Sequence, residues 1–210
     1  MMSALPIRLS SVLGVLLAAL LVVPPATAQD RLRADAPNDW LIQDATVLTV
    51  TNGTIKNGDI LVRDGDIAQV GQDLSAPNGV ETYDASGEYV MPGIVEAHQH
   101  MAISNVNEAT NQVTAEVGVG DVLDPYDIGI YRALAGGVTT AHVMHGSANP
   151  IGGRNETIKL RYGVTNPDAL KMEGAPRTVK FALGENPTGL YGQGRDQVPR
   201  TRMGVEQVIR

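Results

Sequence analysis

The sequence predicts an α/β chain in which a small β-domain precedes the opening of a parallel sheet or barrel. Three observations carry this. Short β-type runs separated by turn residues fill residues 40–89, and a nearly continuous apolar run, Tyr89 to Val95, then ends in polar residues. A long connection, a helix and a second apolar run follow, the order of a βα unit. With 210 residues, 43% of them hydrophobic, the chain has material for a substantial core.

The first 28 residues have the outline of a secretory signal. Arg8 is their one charge, Val12 to Val23 is apolar apart from Gly14, Pro24-Pro25 closes the run, and Ala26-Thr27-Ala28 supplies the small residues of a cleavage site. The run is well short of the roughly 20 residues that a spanning helix needs. An uncleaved anchor or a buried helix is the competing reading, and the prolines directly before a cleavage-like site speak against it. The expectation is cleavage after Ala28, a secreted or periplasmic protein, and no membrane contact afterwards. Residues 29–39 are polar, with Pro37 and three Asp, and read as a flexible lead-in. A formal net charge of −7 and the lack of any basic stripe exclude nucleic acid as a partner. There is no cysteine, so disulfides and thiolate chemistry are excluded, and any metal must be held by His and carboxylate ligands.

The β-domain reads as runs at Leu41–Val50, Asp59–Arg63, Ile67–Val70 and Val80–Tyr83. Asp64-Gly65-Asp66 suits a tight hairpin, because Gly accepts a positive φ, and Asn52-Gly53 and Asn57-Gly58 mark further turns. Tyr89 to Val95 is expected to be a strand buried on both faces. Met101 to Leu123 lacks clean periodicity and exceeds the ~12 to 15 residues of an ordinary structureless connection, which marks it as functional. Asp124-Pro125 gives an N-cap and a first-turn proline for a helix carrying Ile128, Tyr131, Leu134 and Ala135, which Gly136-Gly137 stops. Val138 to Met144 is a buried strand, Thr178 to Leu183 another, and Arg202 to Arg210 begins a helix.

The chemistry sits in Glu96-Ala97-His98-Gln99-His100. Alternate side chains of a strand share a face, so both imidazoles can reach one ion. Their place at the C-terminal end of a buried strand is where parallel barrels carry active residues. Glu96 has the same parity: it either accepts a ring N–H from a ligand histidine and fixes its tautomer, or is held by a neighbouring Arg or backbone. His142 and His145 lie three apart on or after a strand, which sends them to opposite faces. His142 is expected to be satisfied within the structure, and His145, beside a Gly-Ser-Ala-Asn loop, to touch substrate. Gly146 to Gly153 lacks the Lys-Ser/Thr of a phosphate-binding P-loop and the spacing of a dinucleotide site. It reads as a loop over the pocket, with Arg154 and Asn155 as substrate contacts.

The ordered set Asp64-Gly65-Asp66-Ile67, Val70-Gly71, Tyr83-Asp84-Ala85-Ser86-Gly87 and Val90-Met91-Pro92-Gly93-Ile94-Val95-Glu96-Ala97-His98-Gln99-His100 resembles the entry to the amidohydrolase superfamily. Gly136-Gly137-Val138-Thr139-Thr140, Gly146 to Gly153 and Leu183-Gly184-Glu185-Asn186-Pro187 resemble its imidazolonepropionase-like branch. The resemblance covers roughly residues 40–210. It implies a composite β-sandwich domain over 40–89 and, from residue 90, the first part of a (β/α)8 barrel whose first strand ends in H-x-H. It implies hydrolysis of a C–N bond in a small molecule with an amide or cyclic amide bond, by water activated on a divalent metal. Zn is the favoured ion, with Mn, Fe or Co compatible with the same ligands. Glu96 stands where that family usually has Asp. For a third ligand the resemblance offers Glu185, favoured, or Lys180 after carbamylation; the plain alternatives are a turn-capping Glu185 and a solvated Lys180. From His98 to Arg210 the chain holds about half of the roughly 200 to 250 residues of such a barrel, so the family's further two histidines and its general-base aspartate are expected beyond residue 210. Two other readings stay open: a dipeptidase of the same superfamily, and a truncated, catalytically inactive secreted fragment or binding module.

Overall fold

The computed structural model describes residues 39–210, all within one compact unit. The signal-peptide expectation and nearly all of the lead-in lie outside the described residues; the last lead-in residue, Asp39, forms an ion pair with Arg63 at 2.8 Å. Among the described residues no helix is long and apolar enough to cross a membrane.

The first sheet is built from β1 (Trp40–Leu48), β2 (Thr54–Arg63), β3 (Asp66–Gly71), β4 (Glu81–Asp84) and β5 (Tyr89–Val90). Its order is β3-β2-β1-β4, with the first three strands antiparallel and β4 and β5 running parallel to successive parts of β1. The β2–β3 hairpin turns where the sequence places it. Asp64 and Gly65 have φ of 52° and 84°, the double left-handed pair that a two-residue hairpin needs. Asn57-Gly58 is not a turn. It lies inside β2, where the register with β1 slips around Ala45↔Gly58, so the Asn-Gly pair serves a bulge. Ala45, Val47, Ile60 and Ala85 form the small core of this layer.

A second, three-stranded sheet has the order β6-β7-β9, from β6 (Ile94–Gln99), β7 (Val138–Val143) and β9 (Glu156–Lys159). β6 and β7 are parallel, joined through the 100–137 segment that contains helix α1 (Ile128–Ala135): the expected βα unit. Ala141 and Val143 of β7 face the main core with Ile130, Ile158, Leu160 and Leu170, while His142 takes the opposite face. α1 is capped by Asp127, not Asp124. The Asp127 carboxylate accepts from Gly129 N at 2.8 Å and from Ala102 N at 2.7 Å, while Asp124 turns the chain before it by accepting from Tyr126 N.

Three other expectations change. Tyr89 to Val95 is two pieces, β5 on the first sheet and β6 on the second, separated at Met91-Pro92-Gly93. β6 is also not buried: Ile94 is 44% and Val95 65% exposed, because β6 is an edge strand that pairs with β7 alone among the described residues. The Gly-rich stretch is not all loop. It contains β8 (Ile151–Arg154), which pairs antiparallel with β10 (Val179–Phe181), and β9 follows directly, antiparallel to β7. Helices α2 (Glu185–Thr188) and α3 (Arg202–Ile209) end the chain, α3 capped by the Thr201 hydroxyl.

The long connection 101–123 is held from below. Asn149, fully buried, donates from Nδ2 to the carbonyls of Glu108 and Asn111 and to Thr114 Oγ1. The buried Tyr191 phenol donates to the carbonyls of Ala109 and Asn111, and burial raises its pKa. Without periodicity of its own, the segment takes its shape from these side chains.

Candidate metal centre

β6 carries His98 and His100 to the end of the strand. Its register with β7 slips between Glu96↔Ala141 and Gln99↔Val143, so one extra residue is accommodated around His98. Such a bulge removes a ladder partner, and Glu96 supplies the replacement: its Oε1 accepts from His98 backbone N–H at 3.0 Å. Of the two expectations for Glu96, the backbone one holds. The carboxylate props the bulge that aims the histidine and makes no bond to a ring nitrogen.

The two rings meet edge to face, with Nε2 of His98 3.3 Å from Nε2 of His100. His100 Nδ1 lies 2.8 Å from the carbonyl oxygen of Met144. A carbonyl only accepts, so Nδ1 carries the proton and Nε2 presents a lone pair towards His98. Two ligand nitrogens held ~2.0 to 2.1 Å from one tetrahedral ion are about 3.4 Å apart. The spacing and the tautomer therefore fit a shared divalent ion. Lys180 Nζ is 3.4 Å from His98 Nε2 and 3.7 Å from Met144 Sδ. That ammonium, followed by desolvation and the His100 ring, lowers the pKa of His98 and favours its neutral, ligating form.

No group of three His or carboxylate residues able to hold a metal occurs among the described residues. Glu185 shares a cavity of about 320 Å³ with His98 and Lys180 but does not join the pair; the side chain that reaches it is Lys180. Of the two third-ligand candidates, Lys180 is the one that comes within 3.4 Å of a histidine of the pair. Lys180 lies on β10, which brings its Nζ to the His98 ring, whereas Glu185 follows the strand at the start of α2.

His142 is satisfied, as expected. Its Nδ1 and Nε2 are each 2.9 Å from a hydroxyl, Thr157 Oγ1 and Thr178 Oγ1. His145 is not a substrate contact. It is 2% exposed, its Nε2 accepts from Glu108 N–H at 2.7 Å, and its Nδ1 donates to the Gly146 carbonyl at 2.9 Å. The Gly-rich sequence exists to house this ring: a Cβ on Gly152 would sit 2.5 Å from Nδ1, and one on Gly153 2.9 Å from Cδ2. Arg154 and Asn155 are likewise turned to structural work. Arg154 donates to the Glu116 and Val117 carbonyls, and Asn155 accepts from His145 N–H and donates to Thr178 Oγ1. Both line a separate cavity of about 220 Å³ with Lys171 and Arg177, in which neither histidine of the pair takes part. Sequence reasoning missed the Met144 carbonyl and Thr178, since a backbone acceptor and a lone hydroxyl leave no signature.

A solved amidohydrolase from Thermotoga maritima MSB8 superposes on 81% of this chain with a TM-score of 0.73 and 39% sequence identity. The chain belongs to the amidohydrolase superfamily. Amidohydrolase tasK of Hapsidospora irregularis is 34% identical over 169 residues, 70% of this chain. The adenine deaminase of Archaeoglobus fulgidus is 34% identical over 98 residues, 46% of this chain. No protein-family model matches the chain. The chain spans only part of these superfamily relatives: 45% of the Thermotoga structure and 17% of the length of each of the two others.

Proposed function

We propose that this superfamily member hydrolyses a C–N bond of a small amide or cyclic amide at a divalent metal held by His98 and His100. The observation that carries the reading is the 3.3 Å separation of their Nε2 atoms, with the His100 tautomer fixed by Met144. His98 and His100 would hold a divalent ion, zinc by preference for imidazole ligands, and its chemistry there would be activation of a water and Lewis-acid polarisation of the scissile carbonyl. The remaining roles belong to the chain. Met144 orients the His100 ring, Glu96 holds the bulge that presents His98, and Lys180, an ammonium beside His98 in the metal-free chain, would add an oxygen ligand once its neutral amine had taken up CO2 as a carbamate. The names of the relatives, amidohydrolase and adenine deaminase, agree with C–N chemistry. In this reading residues 40–89 are the composite β-domain, the chain from residue 90 opens a (β/α)8 barrel, and residues 1–28 direct export.

The test is amine release from a panel of dipeptides and cyclic amides by the full zinc-supplied chain. Release that stops on chelation, and in the His98→Ala, His100→Ala double variant, is the expected result. Release that survives the double variant would overturn the assignment.

A further inference from the structure

Glu185 is singled out by the sequence and left without a metal to hold. Its carboxylate makes no hydrogen bond and no ion pair among the described residues. Its position is defined nonetheless. It lines the cavity of about 320 Å³ beside His98 and Lys180, and also an adjoining one of about 440 Å³ with Asn107, Ser147 and Asn186. The wall it stands on is tied down: Asn186 Nδ2 donates to Ser147 Oγ at 2.5 Å, and Asn107 Oδ1 accepts from Ala148 N at 3.1 Å.

The charges of the two cavities decide what fits. Glu185 is the one Asp or Glu among their described lining residues, and Lys180, which the hydrolase reading assigns to the metal as a carbamate, is not within ion-pair distance of it. The larger cavity contains Glu185 and no cation; its other polar side chains, Asn107, Ser147 and Asn186, are neutral. A group entering there from a scissile bond at His98 meets the exposed Glu185 carboxylate with amide and hydroxyl groups around it. Ammonium and guanidinium groups satisfy such a wall, and a carboxylate is repelled by it.

We propose that Glu185 is a specificity-determining residue and that the amide substrate carries a cationic group, an ammonium or guanidinium, in the cavity lined by Asn107 and Ser147. This rests on the hydrolase reading of the His98–His100 site and names its substrate class. The test uses two near-isosteric probes, Nα-acetyl-L-arginine and Nα-acetyl-L-citrulline, titrated calorimetrically into the zinc-supplied full chain and its Glu185→Gln and Glu185→Asp variants. The expected result is at least about tenfold tighter binding of the arginine probe, about 1.4 kcal/mol. That preference should fall to within about twofold in Glu185→Gln and recover in part in Glu185→Asp, with metal content unchanged throughout. Equal binding of the two probes, a preference that survives Glu185→Gln, or no binding of either probe overturns the proposal. Acetate release from the same probes is read separately: its absence with the charge preference intact counts against the hydrolase reading and leaves the cation site standing.

Discussion

Replacing His145 by Phe separates the two roles that this residue can have. Phe keeps the ring's bulk in the space that Gly152 and Gly153 leave for it, so little cavity forms. What is lost is the bond accepted from Glu108 N–H at 2.7 Å and the bond donated to the Gly146 carbonyl at 2.9 Å. The Gly146 carbonyl is buried, and leaving it without its donor costs about 1 to 3 kcal/mol, to which the part-buried bond from Glu108 N–H adds about 1. The two losses together are expected to destabilise the fold by about 2 to 4 kcal/mol. For a chain of this size that lowers Tm by roughly 4 to 16 °C. Thermal melts followed by circular dichroism read this directly, with metal content and KM measured alongside below the melt. An unchanged Tm with a raised KM would refute the structural role and restore His145 as a substrate contact.

Asp127→Ala removes both the cap of α1 and the acceptor for Ala102 N–H, and is expected to lower stability in urea by about 2 to 4 kcal/mol, the helix cap alone being worth about 1; Asp127→Asn should retain part of it. Hydrogen bonds from the Thr110 hydroxyl and backbone N–H hold the Glu108 carboxyl below the usual carboxylate range. A lowered folded-state pKa means a contribution present above the unfolded value and lost as pH falls through the folded one. Thr110→Val should therefore move the acid-unfolding midpoint upward in a pH titration, and no movement would contradict the assignment. Lys180→Ala should lower metal content and amine release together, with added formate or acetate restoring part of both; a variant indistinguishable from the parent would exclude a ligand role for Lys180.

Much of the site was legible because it is local. Two histidines two residues apart on a strand share a face wherever that strand lies, and the Asp64-Gly65 hairpin follows from backbone sterics alone. The closeness of Lys180 to His98 was not legible, because it depends on where β10 lies in space and not on any spacing in the chain. His145 was misread for a related reason: the glycines that look like a mobile loop over a pocket are the clearance a buried ring requires. The N-cap slipped by three residues because Asp124-Pro125 and Asp127 are both competent signals and only the position of Ala102 N–H selects between them. The apolar run from Tyr89 to Val95 identified strand-forming sequence correctly. Its burial depends on neighbours, and among the described residues β6 has β7 on one edge only.

The measurement that tests the central claim most directly is metal content by elemental analysis of the purified full chain beside its His98→Ala, His100→Ala double variant. Near-stoichiometric zinc or manganese in the parent, lost in the variant while the circular dichroism spectrum is kept, is the result this account predicts. Equal metal in both proteins, or none in a folded parent dialysed against zinc, would contradict it.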